Sequence, residues 1–120
     1  MEKERRKNLR VLFDAEVDVI SEKGEGIRSK KVRDISLKGV YVISDEKPAI
    51  GEICNVEIKL DKEKKIRFKG KVIRHDEKGF VIAFLATDLA SLGHLKNVLY
   101  YNSGDPERID KELKDLFGLK

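Results

Sequence analysis

Apolar and polar residues alternate in several segments of the first 85 positions. From Phe13 to Val19, apolar side chains occupy every second position and acidic side chains lie between them, and Val11 extends the apolar set; this is the period of a half-buried β-strand. Five further strand-like segments follow at intervals of about ten residues, some alternating, some apolar throughout and one mostly polar, and short turns with glycine, proline or charged residues separate them. This pattern predicts a mainly β protein, a six-stranded antiparallel barrel or sandwich. The second strand, Ile27 to Asp34, is the most polar, and we expect it to lie near an edge.

The period changes after Thr87, where the pattern predicts two C-terminal helices. Asp88 is a suitable N-cap for the first helix, and Asp105 followed by Pro106 is a strong start signal for the second. The first helix carries an apolar stripe that we expect to cover the open end of a barrel: Leu89, Leu92, Leu95, Val98 and Leu99. The second has a similar face: Ile109, Leu113, Leu116 and Phe117. The predicted organisation is a basic arm (1–10), a barrel plus helix (11–101) and a C-terminal helix (102–120).

Composition narrows the class of protein. The chain has 120 residues, of which 40% are hydrophobic and 40% charged, as expected for one globular domain. Its 26 basic residues are interleaved with 22 acidic ones, and the net charge of +4 permits an anionic partner without the one-sign field of a duplex-DNA binder. No apolar run is long enough to cross a bilayer, so we expect a cytoplasmic protein without membrane insertion. The single cysteine, Cys54, is expected to be a buried core residue.

Residues suited to catalysis are scarce. His75 and His94 stand alone, without metal-ligand spacing around them, and no nucleophile motif or glycine-rich phosphate loop is present. The sequence therefore predicts neither an enzyme nor a metal site.

The junction between the second and third strands carries a polar motif. Asp34 and Ser36 lie two positions apart on an extended backbone, so their side chains are expected to point the same way, and Gly39 follows. A carboxylate accepts hydrogen bonds and a hydroxyl both donates and accepts. By themselves these residues are also typical of a turn whose side chains bond to the local backbone.

The basic arm carries a second candidate motif. Arg6 and Arg10 are four positions apart just before the first strand, and nothing in the arm is periodic enough to fix it to a core, so we expect it to be mobile without a ligand. A guanidinium binds phosphate or the O6/N7 edge of guanine in bidentate fashion and stacks on purines. A solvated basic tail remains the simpler interpretation of these two residues alone.

The two motifs together resemble the PilZ domain family of cyclic di-GMP receptors. Arg6 and Arg10 match the family's Arg-x-x-x-Arg pair, and Asp34, Ser36 and Gly39 match its Asp-x-Ser-x-x-Gly motif without departure. Two later stretches look like the last two strands of the family, Gly70 to Arg74 and Gly79 to Phe84, so that the resemblance covers roughly residues 5 to 100.

The resemblance implies that these five residues bind cyclic di-GMP, which is a ligand and not a cofactor. Arg6 and Arg10 would bind phosphate or stack on a base, Asp34 and Ser36 would bind a guanine edge, and Gly39 would leave room for the ring. Three further residues are candidates for secondary contacts: Arg5, Arg74 and His75. Ligand-driven ordering of the arm would be read by a downstream protein partner, and the C-terminal helices offer faces for that partner or for a second copy of the chain.

Two other classes of function remain open. A single-stranded nucleic-acid-binding barrel is suggested by the arm and by a basic row on the fifth strand: Lys65, Arg67, Lys69 and Lys71. Against it, the chain has no tryptophan and only eight phenylalanine and tyrosine residues to stack bases, so we expect no nucleic acid as partner. A barrel used only as a protein interaction module is the other alternative, which leaves the presence of both motifs unexplained.

Overall fold

Six strands close into a barrel in a computed structural model that describes residues 9–24 and 26–117, with side chains as far as Asp115. The strands are β1 (Val11–Ser21), β2 (Gly26–Ile35), β3 (Gly39–Ile43), β4 (Ile53–Lys59), β5 (Lys65–His75) and β6 (Gly79–Thr87). Around the barrel they follow the order β1-β2-β3-β6-β5-β4, and every neighbouring pair is antiparallel. The predicted six-stranded antiparallel barrel is confirmed.

Strand β2 is not an edge strand, and the expectation that it lies near an edge is wrong. Its residue Val32 pairs with Ala15 of β1 on one side and with Val42 of β3 on the other. A closed barrel leaves no edge among these strands. The polar character of β2 comes from its outward-facing side chains, while Val32 and Ile35 are buried in the barrel.

The barrel interior is filled by apolar side chains from every strand. Among the most deeply buried are Val17, Ile35, Val40, Val42, Ile58, Ile66, Val72, Phe80 and Ile82. Cys54 belongs to this core, and burial raises the pKa of its thiol to about 11. The cysteine is therefore the buried core residue that the pattern predicts, in an environment that disfavours the reactive thiolate.

Helix α1 (Leu89–Ser103) packs on β5 and β1. It begins at Asp88, whose carboxylate accepts the Ser91 amide hydrogen at 2.6 Å, and ends at Gly104 with φ 72°. The predicted stripe is correct except for Leu89, which is 86% exposed. Ser91 takes the barrel-facing position in the first turn, where its Oγ accepts the Arg67 amide hydrogen at 2.8 Å. Leu89 precedes Ser91 by two residues, roughly 200° around the helix, and so points outward.

Helix α2 (Pro106–Phe117) packs against α1. Its Ile109 is fully buried, and Leu113 is partly buried against the same core cluster. The side chains of Leu116 and Phe117, predicted on this face, lie outside the described part of the structure. Within the described residues, no helix has the length and apolar character needed to cross a membrane.

Candidate functional site

A row of cross-strand neighbours on the outside of the barrel contains the polar motif. Leu12 pairs with Asp34, Asp34 with Tyr41, Tyr41 with Val81, and Val81 with Arg74. The row therefore crosses β1, β2, β3, β6 and β5 in turn. Neighbouring strands are about 4.8 Å apart, so Asp34 and Arg74 are separated by three spacings, or about 14 Å along the surface.

Two register shifts in the pairing change which side chains this surface presents. One lies between Val32 and Asp34 where β2 pairs with β3, and the other between Val72 and Arg74 where β5 pairs with β6. A β-bulge of this kind inserts one extra residue and re-aims the side chains around it. The first bulge leaves Val32 in the core and lets Arg33 stand beside Asp34 at the site.

Asp34 binds two arginines, one on each carboxylate oxygen. Nη1 of Arg10 donates to Oδ1 at 2.7 Å, and Nε of Arg33 donates to Oδ2 at 2.8 Å. Asp34 is only 5% exposed, while the side chains of Arg10 and Arg33 are 30% and 45% exposed, so the carboxylate is shielded from water and both guanidinium groups remain accessible. The contact with Arg10 joins the end of the arm to β2 across 24 positions of sequence. It brings together one residue from each of the two motifs.

Arg33 also stacks on Tyr41. Its guanidinium carbon lies 3.7 Å from the centre of the ring, which is the geometry of a cation–π contact. The hydrogen bond with Asp34 raises the pKa of Arg33, which keeps the guanidinium charged. The Tyr41 hydroxyl donates to Oδ1 of Asp76, which also accepts the amide hydrogens of Lys78 and Gly79 in the turn between β5 and β6. The network thus runs from the arm to this turn through five side chains in contact: Arg10, Asp34, Arg33, Tyr41 and Asp76.

Ser36 and Gly39 shape the connection between β2 and β3. The Ser36 amide donates to the Gly39 carbonyl at 2.9 Å, and Ser36 Oγ accepts the Lys38 amide hydrogen at 3.1 Å. A Cβ added at Gly39 would lie 2.5 Å from the Ile82 carbonyl oxygen, so the close approach of β6 by itself requires glycine. Ser36 thus bonds to the local backbone, as the simpler interpretation of this stretch expected, whereas Gly39 is required by the packing of β3 against β6.

The remaining predicted residues lie in different places. Arg5 and Arg6 fall outside the described residues. Arg74 is exposed at the end of the row. His75 is half-buried next to it, and its Nε2 lies within hydrogen-bonding distance of the Pro48 carbonyl oxygen, so its ring contacts the loop between β3 and β4.

Three residues of this network were not predicted from the sequence: Arg33, Tyr41 and Asp76. Arg33 directly precedes the motif, but strict alternation places it on the face opposite to Asp34, and only the bulge reverses that assignment. Tyr41 interrupts an otherwise aliphatic strand, and this is the signal that could have marked it. No feature of the sequence around Asp76 marks it as a residue of the site.

Three of the four cations in the basic row on β5 are paired with two carboxylates. Lys65 and Arg67 lie 3.8 Å and 3.0 Å from Glu57, and Lys69 lies 3.1 Å from Glu22. Carboxylates at these distances compete with a phosphate backbone for the same cations. The row therefore gives little support to the nucleic-acid alternative.

A broad groove of about 570 Å³ lies on another face, along β1, β4 and β5, and it shares no residue with the row that contains Asp34. Its charges face each other: Arg28 is 3.6 Å from Asp18, and Arg67 pairs with Glu57. Among the described residues, no group of His, Cys, Asp and Glu could hold a metal ion.

The Tyr41–Asp76 contact predicts a loss of stability at high pH. Burial raises the pKa of Tyr41 from 10.0 to about 12, and the hydrogen bond with Asp76 acts in the same direction. Because the unfolded chain releases this proton first, the stabilisation is complete below pH 10 and is lost as the pH rises to about 12. Urea denaturation should show a smaller alkaline decrease in the free energy of unfolding for Tyr41→Phe than for the unaltered chain. Parallel pH profiles for the two proteins would contradict the assignment.

The fold and the site define a class of protein, a small closed barrel that presents an arginine–aspartate cluster on its outer face. The PilZ domain model matches residues 4–101, and the chain belongs to the PilZ domain family. The match includes both motifs and ends before α2.

Solved structures share the fold at low sequence identity. The PilZ domain of YcgR from Escherichia coli, solved with c-di-GMP, is 12% identical with a TM-score of 0.66, and the alignment covers 96% of this chain and 98% of that one. YcgR from Escherichia coli in complex with c-di-GMP is 16% identical with a TM-score of 0.64, and the alignment covers 95% of this chain and 51% of that one. The inhibitor of motility MotI/DgrA from Bacillus subtilis is 23% identical with a TM-score of 0.63, and the alignment covers 92% of this chain and 53% of that one. The chain thus spans about half the length of MotI. No curated protein sequence gave a match.

Proposed function

We propose that this chain is a receptor for cyclic di-GMP, which binds across the outer face of the barrel at Asp34 and is closed in by the arm. The observation that carries this proposal is the 2.7 Å contact between Arg10 and Asp34. It unites the cation that would bind phosphate and the carboxylate that would bind guanine. A guanidinium has five N–H donors, so an arginine held by Asp34 through Nη1 retains donors for a phosphate.

The charge of the site suits an anion. Among the described residues the site has three arginines, Arg10, Arg33 and Arg74, and two carboxylates, Asp34 and Asp76, which leaves it at +1. Cyclic di-GMP carries two phosphates and thus two negative charges. Neutralising it requires at least one more cation, and we propose Arg6, with Arg5 as a further contact that influences whether one ligand or an intercalated pair binds.

Guanine recognition centres on Asp34. Each carboxylate oxygen can accept two hydrogen bonds, so the two arginine contacts leave acceptor capacity for the N1 and N2 hydrogens of a guanine. We propose that Ser36 adds a bond on the same edge. Arg33, already stacked on Tyr41, provides a flat cationic surface beside the carboxylate on which a purine can stack.

We propose that relay to a partner proceeds through the arm. Fixing the backbone of one residue costs about 1 to 2 kcal/mol of free energy, and a charge-assisted hydrogen bond contributes about 1.5 to 3 kcal/mol of stabilisation. Arm residues that bind the nucleotide would therefore be ordered by it, and the altered surface would be read by a downstream protein or by a second copy of the chain. The YcgR chain solved in complex with c-di-GMP is about twice as long as this chain, so only nucleotide binding by the shared barrel is inferred from it.

Isothermal titration calorimetry tests the proposal. The chain should bind cyclic di-GMP with a saturable isotherm and should give no comparable binding with GTP, cyclic GMP or a single-stranded oligonucleotide. The fitted stoichiometry distinguishes one ligand from an intercalated pair. Absence of binding to cyclic di-GMP would refute the proposal, and oligonucleotide binding with a steep salt dependence would favour the nucleic-acid alternative instead.

A further inference from the structure

The last residues of the arm are tied to helix α2. The Leu9 amide donates a hydrogen bond of 2.7 Å to Oε2 of Glu112, a residue 103 positions later in the chain. The same oxygen accepts from Nε of Arg108, one helical turn earlier, at 3.1 Å. Glu112 is 6% exposed. A carboxylate that is removed from water in this way is costly unless its oxygens are bonded, so these donors are part of what keeps Glu112 in place.

Apolar contacts hold the same junction together. Leu9 is partly buried against the core cluster, to which the fully buried Ile109 of α2 also belongs. Ile109 and Glu112 are three residues apart and therefore lie on one face of the helix. That face combines an apolar contact with the core and a hydrogen bond to the arm, so α2 docks on both at once.

Leu9 and Arg10 are consecutive, and they are held by different elements. Glu112 of α2 binds the backbone of Leu9, while Asp34 of β2 binds the side chain of Arg10. We propose that Glu112 is a positioning residue for nucleotide binding: it fixes the backbone that leads into Arg10 and so makes the position of α2 dependent on the state of the arm. The nucleotide part of this proposal rests on the function proposed above. Glu112 lies beyond residues 4–101, the part that the family model matches.

The coupling works in both directions. Ordering one residue corresponds to a factor of about 5 to 30 in an equilibrium constant, so an arm end already held by Glu112 binds a ligand more tightly than a loose one. By thermodynamic linkage, a ligand that binds Arg10 in this position raises the equilibrium constant for docking of α2 by the same factor. The docking of helix α2 then depends on whether the site at Asp34 is occupied.

Amide hydrogen exchange without nucleotide tests whether Glu112 fixes the arm. In Glu112→Ala, exchange at the Leu9 amide should accelerate by about tenfold or more, since a charge-assisted bond is lost. Glu112→Gln keeps an acceptor oxygen but loses the charge, so its exchange rate should lie between those of the unaltered chain and Glu112→Ala. Glu107→Ala, an exposed glutamate in the first turn of α2, is the matched control and should leave Leu9 unchanged. Unchanged Leu9 exchange in Glu112→Ala would overturn the proposal.

Cyclic di-GMP affinity tests whether Glu112 acts through Arg10. Glu112→Ala should weaken binding by about fivefold or more in the unaltered background, Glu112→Gln should have an intermediate effect, and Glu107→Ala should stay near the starting value. In an Arg10→Ala background the same change should have little further effect, because coupled residues are not additive. An equal loss in both backgrounds would indicate a general structural defect and overturn the positioning role. If the unaltered chain binds no cyclic di-GMP, the proposed function and the nucleotide role of Glu112 fail together, while the exchange result still decides whether Glu112 fixes the arm.

Discussion

Replacing Arg10 with alanine should weaken cyclic di-GMP binding by about tenfold or more while the barrel stays folded. Arg10 is 30% exposed, so its guanidinium is shielded enough for a strong bond yet accessible to a ligand. Each charge-assisted hydrogen bond contributes about 1.5 to 3 kcal/mol, so the loss of one phosphate contact alone is enough for a tenfold effect. Calorimetry with cyclic di-GMP measures the change, and thermal denaturation of the same sample shows whether the barrel is intact. We expect the same direction for Arg6→Ala.

The matched control for this variant is Arg28→Ala. Arg28 is also a barrel arginine that faces an aspartate, 3.6 Å from Asp18, but it is 68% exposed and lies away from the row that contains Asp34. Its removal lowers the net charge by the same amount and should change the affinity by less than about twofold. If both variants lose affinity equally, the effect is one of overall charge and the site is not at Asp34. If Arg10→Ala binds as tightly as the unaltered chain, the arginine has no role in binding.

Gly39→Ala should destabilise the barrel by about 2 to 3 kcal/mol in the absence of any ligand. The added methyl group would lie 2.5 Å from the Ile82 carbonyl oxygen and 3.3 Å from the Cα of Ala83, both of which are backbone atoms of β6. The strand cannot rotate away as a side chain can, so β3 and β6 must separate locally. This cost outweighs the gain of about 0.4 to 1 kcal/mol that alanine brings by restricting the unfolded chain. Urea denaturation without nucleotide measures the difference.

Gly93→Ala provides the comparison for Gly39→Ala. Gly93 lies on the exposed side of α1, and a Cβ there would have nothing within 4 Å. In a helix interior this substitution should stabilise the protein by about 0.5 to 1 kcal/mol. Opposite signs for the two variants would establish that packing against β6 requires the glycine of the motif. If Gly39→Ala leaves the stability unaltered but weakens nucleotide binding, the glycine is required for contact with the ligand and not for packing.

Most of the fold could be predicted because its signals are local. Alternation at every second position defines β4 and β5 well, since their inward residues are mostly apolar and their outward residues mostly charged. Asp88 and Gly104 mark the ends of α1 by capping chemistry that involves only neighbouring residues. Leu89 was misplaced because its spacing from Leu92 fits the apolar stripe, whereas Ser91 takes the barrel-facing position in the first turn.

The site was predictable as a set of motif residues but not as an arrangement. Asp34 and Arg10 were singled out by their chemistry and by the family resemblance, and the structure brings them into contact. Arg33 was missed because a bulge, which alternation cannot reveal, turns it to the same surface. Whether Arg5 and Arg6 reach this surface stays a prediction, because they lie outside the described residues.

By itself, the sequence determined the strands, the two helices and the polar motif at the junction of β2 and β3, since each of these depends on residues a few positions apart. Only the tertiary structure decided that Asp34 carries two arginines, that Tyr41 bonds to Asp76, and that Glu112 holds the backbone of Leu9. Except for the adjacent pair Arg33 and Asp34, these contacts join residues that are 24 to 103 positions from each other in the chain. They form because barrel closure and helix docking bring remote segments within hydrogen-bonding distance, which no local pattern of residues specifies.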